Sequence, residues 1–448
     1  MRIVIVGAGS LGYSIAELLS NEEYDVVVID TSEANLSRVR SNLDVLTLLA
    51  DGASPSDMMN PDIKNADILV AATAMDEVNI LSCVLAKKNG IPHTIARIRE
   101  EKYLAAPETY LKKNFDIDLA LSPELICARE IHRLLQTPSA LNVEDFAGGT
   151  VRLFETRIAD DSPLVNVPLK KLALPGRILA AMIFRNNVMI IPHGDDMFLP
   201  MDNVYFIGDP KEMDTFCQTI SGKSTRLIRN VMVVGGGRTG KALALLLEEA
   251  GMTVKVIEKN SLRCRSLSER LKHTMILCGD ATSIDLLKQE GIDDTDAIIC
   301  TTKDDKLNLM IAALGKHLGA RKAMVRVARN EYVSLMEQIG IDVVLSSRLL
   351  AASEVLTYIR HSGVISVSLL EGAAVEAVEI MVQKHSPVAG KSLMDADLPK
   401  ACLVGAVVHN GQAIIPRGST VLSENDRVVL ILEAEESASV LSYFEGEA

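Results

Sequence analysis

The chain of 448 residues contains no Trp, only eight Phe and only eight Tyr. Its 48% hydrophobic content therefore rests on Val, Ile, Leu, Ala and Met, a mix that suits α/β layers with aliphatic buried strands. An excess of basic charge is also lacking. Lys and Arg number 46 against 59 Asp and Glu, so the net charge is −13. A nucleic-acid binder needs a cationic footprint to displace phosphate counterions, and adsorption to anionic lipid needs the same. Neither partner is expected. Cys83, Cys127, Cys217, Cys264, Cys278, Cys300 and Cys402 form no C-x-x-C pair and are odd in number. That argues against a disulfide framework or a structural zinc site and for a reducing compartment. The cysteines read as buried small hydrophobes, with a redox sensor as the alternative. No uncharged apolar run nears the ~20 residues of a membrane-spanning helix. The longest, Ala401 to Pro416, is broken by Asn410-Gly411-Gln412 and reads as a hairpin. The N-terminal Met-Arg-Ile-Val-Ile-Val-Gly enters a strand at once, so no signal peptide is expected.

At ~150 residues per domain the length suggests about three domains, but internal repetition alters that count. IVIVGAGSLG at 3–12 matches VMVVGGGRTG at 231–240, an offset of 235 − 7 = 228. VVVID, ending at Asp30, matches VKVIE, ending at Glu258. ATAMDEVN at 72–79 matches TTKDDKLN at 301–308, and ARIREEKY at 96–103 matches VRVARNEY at 325–332. Later, AAMIFRNNVMIIPHG at 180–194 matches VGAVVHNGQAIIPRG at 404–418. Preserved order with a nearly constant offset marks a duplication.

Each copy opens with alternating strands and helices. In the first, strands are expected at Arg2–Val6, Asp25–Asp30, Asp44–Ala50, Ile68–Ala72 and His93–Arg97, with helices such as Leu11–Asn21 and Val78–Asn89. This is Rossmann-like, doubly wound, mostly parallel-sheet winding. A helical connector follows, Ser122–Leu135 and Ser346–Arg360, then a small α+β domain of short strands and turns. The expected domains are 1–121, 140–222, 228–345 and 364–448, with a hinge near Ser221-Gly222-Lys223-Ser224.

Gly7, Gly9 and Gly12 form a G-x-G-x-x-G loop, repeated by Gly235, Gly237 and Gly240. The first glycine turns the chain off strand one. The second lets the backbone approach a pyrophosphate, and the third lets the helix pack closely. Asp30 and Glu258 each lie 23 residues beyond the first glycine. A carboxylate there accepts from ribose hydroxyls. It also repels a 2′-phosphate, by about 4 kcal/mol per charge pair at 4 Å in an effective dielectric near 20. NAD or another adenosine nucleotide is therefore favoured over NADP, although Lys259 softens this in the second copy. Arg238 stands inside the second loop where Ser10 stands in the first; it either grips a terminal phosphate or is a solvated helix start. Arg97 and Arg326, with Arg99 and Arg329 beyond, either face the ligand crevice, meet a neighbouring subunit or form simple salt bridges. Asp51, Asp280, Thr73, Asp76, Thr302 and Asp305 are ligand contacts or turn formers. No H-E-x-x-H, G-x-S-x-G or clustered acid–base group appears, so no catalytic or metal residues are expected.

As a set, VIVGAGSLG, VVVIDTS, ADILVAATAMDEVNIL, IARIREEKY, MVVGGGRTG, VIEKN and CGDAT resemble the TrkA family of Trk potassium-uptake proteins, built from tandem RCK/KTN domains. The resemblance covers essentially the whole chain. It implies a cytosolic, non-enzymatic subunit at the inner face of the membrane, without insertion. It further implies a homo-oligomeric ring, dimer or tetramer, beneath a membrane potassium translocator whose pore it gates, with NAD(H) and ATP or ADP as ligands. Residues matching the family's nucleotide positions are Gly7, Gly9, Ser10, Leu11, Gly12, Asp30, Thr73 and Arg97, and Ala8, Asp51 and Ala74 complete the first candidate cofactor site. In the second copy the matching residues are Gly235, Gly237, Arg238, Thr239, Gly240 and Glu258, and Gly236, Asp280, Thr302 and Arg326 complete the second candidate cofactor site. Arg inside the glycine loop is common in ATP-responsive relatives, so ATP or ADP is expected in the second copy. The competing readings are an NAD-dependent oxidoreductase and a regulator of another cation transporter or exchanger.

Overall fold

The computed structural model describes residues 1–104, 108–136, 141–172, 174–186, 188–220, 228–359, 364–370, 375–399 and 402–445. The expected hinge at 221–224 lies outside these residues, as do Asn187, Arg360 and Ala401.

Two six-stranded sheets have the doubly wound order. The first runs Leu46–Leu49, Asp25–Asp30, Arg2–Val6, Ile68–Ala71, His93–Arg97, Leu119–Leu121. The second runs Met275–Cys278, Thr253–Glu258, Asn230–Val234, Ala297–Cys300, Lys322–Val327, Val343–Ser346. The aliphatic strands are buried on both faces: Ile3, Val4, Ile5 and Val6 are all inaccessible or nearly so, as are Val231 to Val234. This is what a parallel sheet covered by helices demands. The order reverses between strands one and four, and ligands of such sheets bind at that crevice. The sixth strands add to the five expected; they are too short to show a period in the sequence.

The small domains are antiparallel and share one topology. The first is ordered Val188–Ile190, Ile178–Arg185, Asn203–Gly208, Val151–Arg157, Asn142–Phe146. The second is ordered Gln412–Ile414, Cys402–His409, Arg427–Glu433, Val375–Met381, Val364–Leu370. Cys402–His409 and Gln412–Ile414 form the expected hairpin, turning through Asn410 and Gly411 at positive φ. The duplication thus extends to strand order. Phe146, Leu153, Met182 and Tyr205 share one core with Val375, Ala377, Val429 and Ile431. Buried Glu379 ties the two domains together by accepting from the Ala147 amide at 2.9 Å.

The chain forms two compact units. One comprises Met1–Cys127, Val327–Asn330 and Leu345–Ile359; the other comprises Ala128–Arg326, Glu331–Val344 and Arg360–Ala448. Within the first, the second copy's connector helix, Ser347–Ile359, packs on the first copy's helix Ser10–Asn21. Tyr358 in that connector lies 3.1 Å from His93 at the start of strand five. Within the second unit, His132 on the first copy's connector helix Pro123–Gln136 feels the charge of Glu249 from helix Arg238–Glu249. Burial depresses the His132 pKa, and Glu249 opposes that shift. The second copy's connector therefore packs on the first copy.

A fragment of residues 1–222 loses Ser347–Ile359 and uncovers the apolar face of helix Ser10–Asn21. It is expected to dimerise by exchanging its own connector. Sedimentation showing a stable monomer would contradict the exchange.

Candidate functional site

The glycine loops take the shape their spacing calls for. Gly7 and Gly235 have φ of +102° and +97°, a region L side chains rarely adopt. Their amides donate to Ile29 O and Ile257 O at 2.8 Å, which fixes each loop to strand two. A Cβ on Gly12 would stand 1.8 Å from Gly7 O, and one on Gly240 would stand 1.9 Å from Gly235 O. These close approaches seat the helix against the loop. At Gly9 and Gly237, by contrast, a Cβ would meet nothing within 4 Å. The open space lies at the N-terminus of helices Ser10–Asn21 and Arg238–Glu249.

Neither helix has a side-chain cap, and neither has an acidic residue in its first turn. Elsewhere Ser32, Asn260, Ser283 and Asp304 cap helices in the ordinary way. The first amides of a helix lack intrahelical partners and carry its positive dipole end. Two open glycines below two uncapped helix ends therefore fit a pyrophosphate. Leu11 and Thr239 are buried in the first turns and anchor them, while Ser10 and Arg238 are exposed.

The strand-two acids hold these loops open. Asp30 accepts from the Ala8 amide at 2.6 Å with one oxygen and from the Ser32 amide at 2.8 Å with the other. Glu258 accepts from the amides of Gly236 and Asn260, both at 2.8 Å, and from Arg263 Nη1 at 2.9 Å. Burial works against the Glu258 charge, but the Asn260 amide, Arg263 and the Gly236 amide together hold its pKa below the usual carboxylate range. A carboxylate offers about four lone-pair sites. Asp30 is half-buried and its third contact, Asn35 Nδ2, is long at 3.5 Å, whereas Glu258 is 6% exposed and its third contact is a guanidinium.

Models of two domain families match the chain: the TrkA-N domain at residues 3–123 and 231–347, and the TrkA-C domain at 153–221 and 377–445. A Methanosarcina mazei protein named Trk system potassium uptake protein TrkA homolog 1 is 36% identical over 99% of this chain and 100% of its own length. The chain belongs to the TrkA family. Among solved structures, the GsuK channel bound to NAD superposes with a TM-score of 0.63 at 17% identity, covering 100% of this chain and 79% of that one. GsuK bound to ADP gives 0.52 at 15% identity, covering 80% and 69%. At such identities these two likenesses show the fold.

In this TrkA-family chain the strand-four and strand-five positions are joined by residues that the motifs do not single out. Asn79 is fully buried. Its Oδ1 accepts from the Thr73 amide at 2.9 Å and the Thr73 hydroxyl at 2.7 Å, and its Nδ2 donates to Arg97 O at 2.9 Å. Asn308 repeats this with the Thr302 amide at 3.0 Å, the Thr302 hydroxyl at 2.6 Å and Arg326 O at 3.0 Å. Each Asn closes a matched octapeptide, and that match is its signal in the sequence. Thr73 and Thr302 thus serve as loop formers beside Gly7 and Gly235. Asp76 likewise accepts from the Arg99 and Glu100 amides at 2.8 and 2.7 Å.

Several of these candidate residues also have partners within the chain. The Arg97 guanidinium lies 3.7 Å from Glu124, and Arg326 Nη1 donates to Thr302 O at 3.2 Å. Asp51 and Asp280 form turns, accepting from the Ala53 and Thr282 amides. Lys259 pairs with Asp280 at 2.8 Å, both exposed, so the cation beside Glu258 is locally neutralised. Lys259, with help from Thr282, holds the Asp280 pKa at about 2. Exposed Lys303 takes the place of exposed Ala74, so the second cradle's rim carries Arg238 and Lys303 where the first carries Ser10 and Ala74. One expectation fails: Cys278 is exposed, whereas Cys83, Cys127, Cys264 and Cys300 are buried as expected.

Asn79→Ala and Asn308→Ala each strand a loop amide and a strand-end carbonyl, and are expected to cost about 2–3 kcal/mol in denaturant unfolding. A change below 0.5 kcal/mol, about the size of an ordinary surface substitution, would contradict the clamp. Because the folded pKa of Glu258 is depressed, its stabilising contribution is complete above the unfolded value of ~4.3 and lost as pH falls through the folded value. Glu258→Gln should therefore flatten the acid limb of the stability profile, and an unchanged limb would contradict that role.

Proposed function

We propose that the chain is the nucleotide-binding regulatory subunit of a Trk-type potassium uptake system, acting at the inner face of the cell membrane on a membrane potassium translocator. The observation that carries this reading is the pair of open glycine cradles under uncapped helix N-termini. The relative named for Trk potassium uptake and the channel structures named as bound to NAD and ADP support it. A regulatory rather than catalytic role is supported by the use of the polar groups: Asp30, Glu258, Asn79 and Asn308 all bond to loop or strand-end backbone. Among the described residues no helix is long and apolar enough to cross a membrane.

The proposed domains are 1–121, 140–222, 228–345 and 364–448, and the homo-oligomer is a ring. The proposed nucleotide contacts are Gly7 to Gly12, Asp30, Thr73 and Arg97 in the first copy and Gly235 to Gly240, Glu258, Thr302 and Arg326 in the second. The first cradle takes NAD(H), because its rim, Ser10 and Ala74, adds no cation for a terminal phosphate. The second takes ATP or ADP, because Arg238 and Lys303 add cations at the phosphate end. Placing Arg238 at a helix N-terminus is unfavourable by about 0.3–1 kcal/mol, a cost that a bound polyphosphate removes. Gating then requires only that nucleotide bind one ring state more tightly than the other.

Gly9→Asp and Gly237→Asp fill open space with negative charge and should leave folding intact. Gly9→Asp is expected to lower NADH affinity at least tenfold with ATP affinity kept, and Gly237→Asp to do the reverse, by calorimetric titration. Equal ATP affinity in the two variants would overturn the division of ligands. Steady oxidation of NADH would overturn the regulatory reading.

A further inference from the structure

Two cysteines meet beneath the second cradle, and nothing in the proposed function uses them. Cys264 sits in helix Ser261–Arg270, is buried, and donates its thiol hydrogen to Glu258 O at 3.2 Å. Cys278 ends the edge strand Met275–Cys278 and is exposed. It stands directly beside Glu258 in the parallel register. The helix packs on that strand, and Glu258 O accepts both from the Cys264 thiol and, at 3.0 Å, from the amide of Gly279, the residue that follows Cys278. The first copy has Leu36, buried, and Leu49, exposed, at the matching positions. The pair therefore belongs to the second copy alone, around the acid that shapes its loop.

We propose that Cys264 and Cys278 form a reversible disulfide, a thiol-modification site at the second nucleotide cradle whose oxidant is a hydroperoxide.

The two thiols divide the work by exposure. Burial, and then the neighbouring Cys278, pushes the Cys264 thiol up to about 11, so Cys264 is a poor first target. Cys278 meets the oxidant. Its sulfur attacks the peroxide, the O–O bond breaks, and a sulfenic acid and one water (or alcohol) result. The Cys264 sulfur then displaces hydroxide from the sulfenic acid. The S–S bond forms, the S–O bond breaks, and the Cys264 proton leaves with the hydroxide as a second water. Two thiols are oxidised by two electrons and one peroxide is reduced by two. Exposure of Cys278 at a strand end gives its side chain room to close to the ~2.0 Å of an S–S bond. A dithiol reverses the reaction by exchange.

Closure removes the Cys264 hydrogen bond to Glu258 O and pulls on the helix turn that carries Arg263 to the Glu258 carboxylate. Nucleotide affinity in the second cradle should fall several-fold; this consequence rests on the proposed function, whereas the disulfide does not.

The test treats the full chain with hydrogen peroxide, digests it without reductant and reads the peptides by mass, with ATP titrated before oxidation, after it and after dithiothreitol. The expected result is a linked peptide joining residues 264 and 278, lighter by two hydrogens, lost on reduction and absent from Cys278→Ser. That exposed, isosteric substitution should leave folding unchanged. Cys278 oxidised to sulfinate while Cys264 remains a thiol, Cys278 linked to another cysteine, or no oxidation at either residue would each overturn the proposal. Linkage with unchanged ATP affinity overturns the regulatory consequence alone. Linkage in a protein that binds no nucleotide when reduced overturns the proposed function and upholds the disulfide.

Discussion

The carboxylate at the end of strand two is the constraint on which each cradle depends. Asp30 reaches the Ala8 amide and Glu258 reaches the Gly236 amide. Each thereby pins the loop between the first glycine, at positive φ, and the second, with open space above it. A charge-assisted bond of this kind is roughly twice as strong as a neutral one. It also orients the following helix so that its uncapped amides face that space. Remove the acid, and the glycines still permit the shape but nothing selects it.

The duplicated halves keep this frame and differ at its rim. Asn35 and Arg263 occupy the same place after their acids. The first lies 3.5 Å from Asp30 and the second 2.9 Å from Glu258. A neutral amide at long range leaves Asp30 available, whereas a guanidinium engages Glu258. Ser10 and Ala74 give way to Arg238 and Lys303, and Leu36 and Leu49 give way to Cys264 and Cys278. One backbone thus supports two chemically distinct cradles per chain. The second copy's connector, Ser347–Ile359, rests on the very helix whose N-terminus forms the first cradle.

Much of the fold is legible in the sequence, because backbone requirements leave residue-level marks. Gly7 and Gly12 are glycine for steric reasons that any α/β loop of this shape shares. The constant offset between Gly7 and Gly235 marks the second copy by residue spacing alone, and the shared strand order follows from the same repetition. What the sequence hides are roles that depend on distant pairing. Asn79 and Asn308 look like ordinary helix residues until their amides are seen bridging strands four and five. Asp30 and Glu258 read as ribose acceptors, yet much of their capacity goes to their own loops. The sixth strands are too short for periodicity to reveal, and the meeting of Cys264 with Cys278 needs a helix and an edge strand brought together.

The central claim is that nucleotide occupancy of these cradles sets potassium conductance. Its most direct test is potassium flux through the Trk-type translocator of the same cell, reconstituted in liposomes with and without this chain, while ATP, ADP, NAD and NADH are exchanged. The account predicts that the chain alters flux, that nucleotide identity changes the size of its effect, and that Gly9→Asp with Gly237→Asp in one chain abolishes the nucleotide response. Flux that ignores the chain, or ignores the nucleotide while the chain is bound, would contradict it.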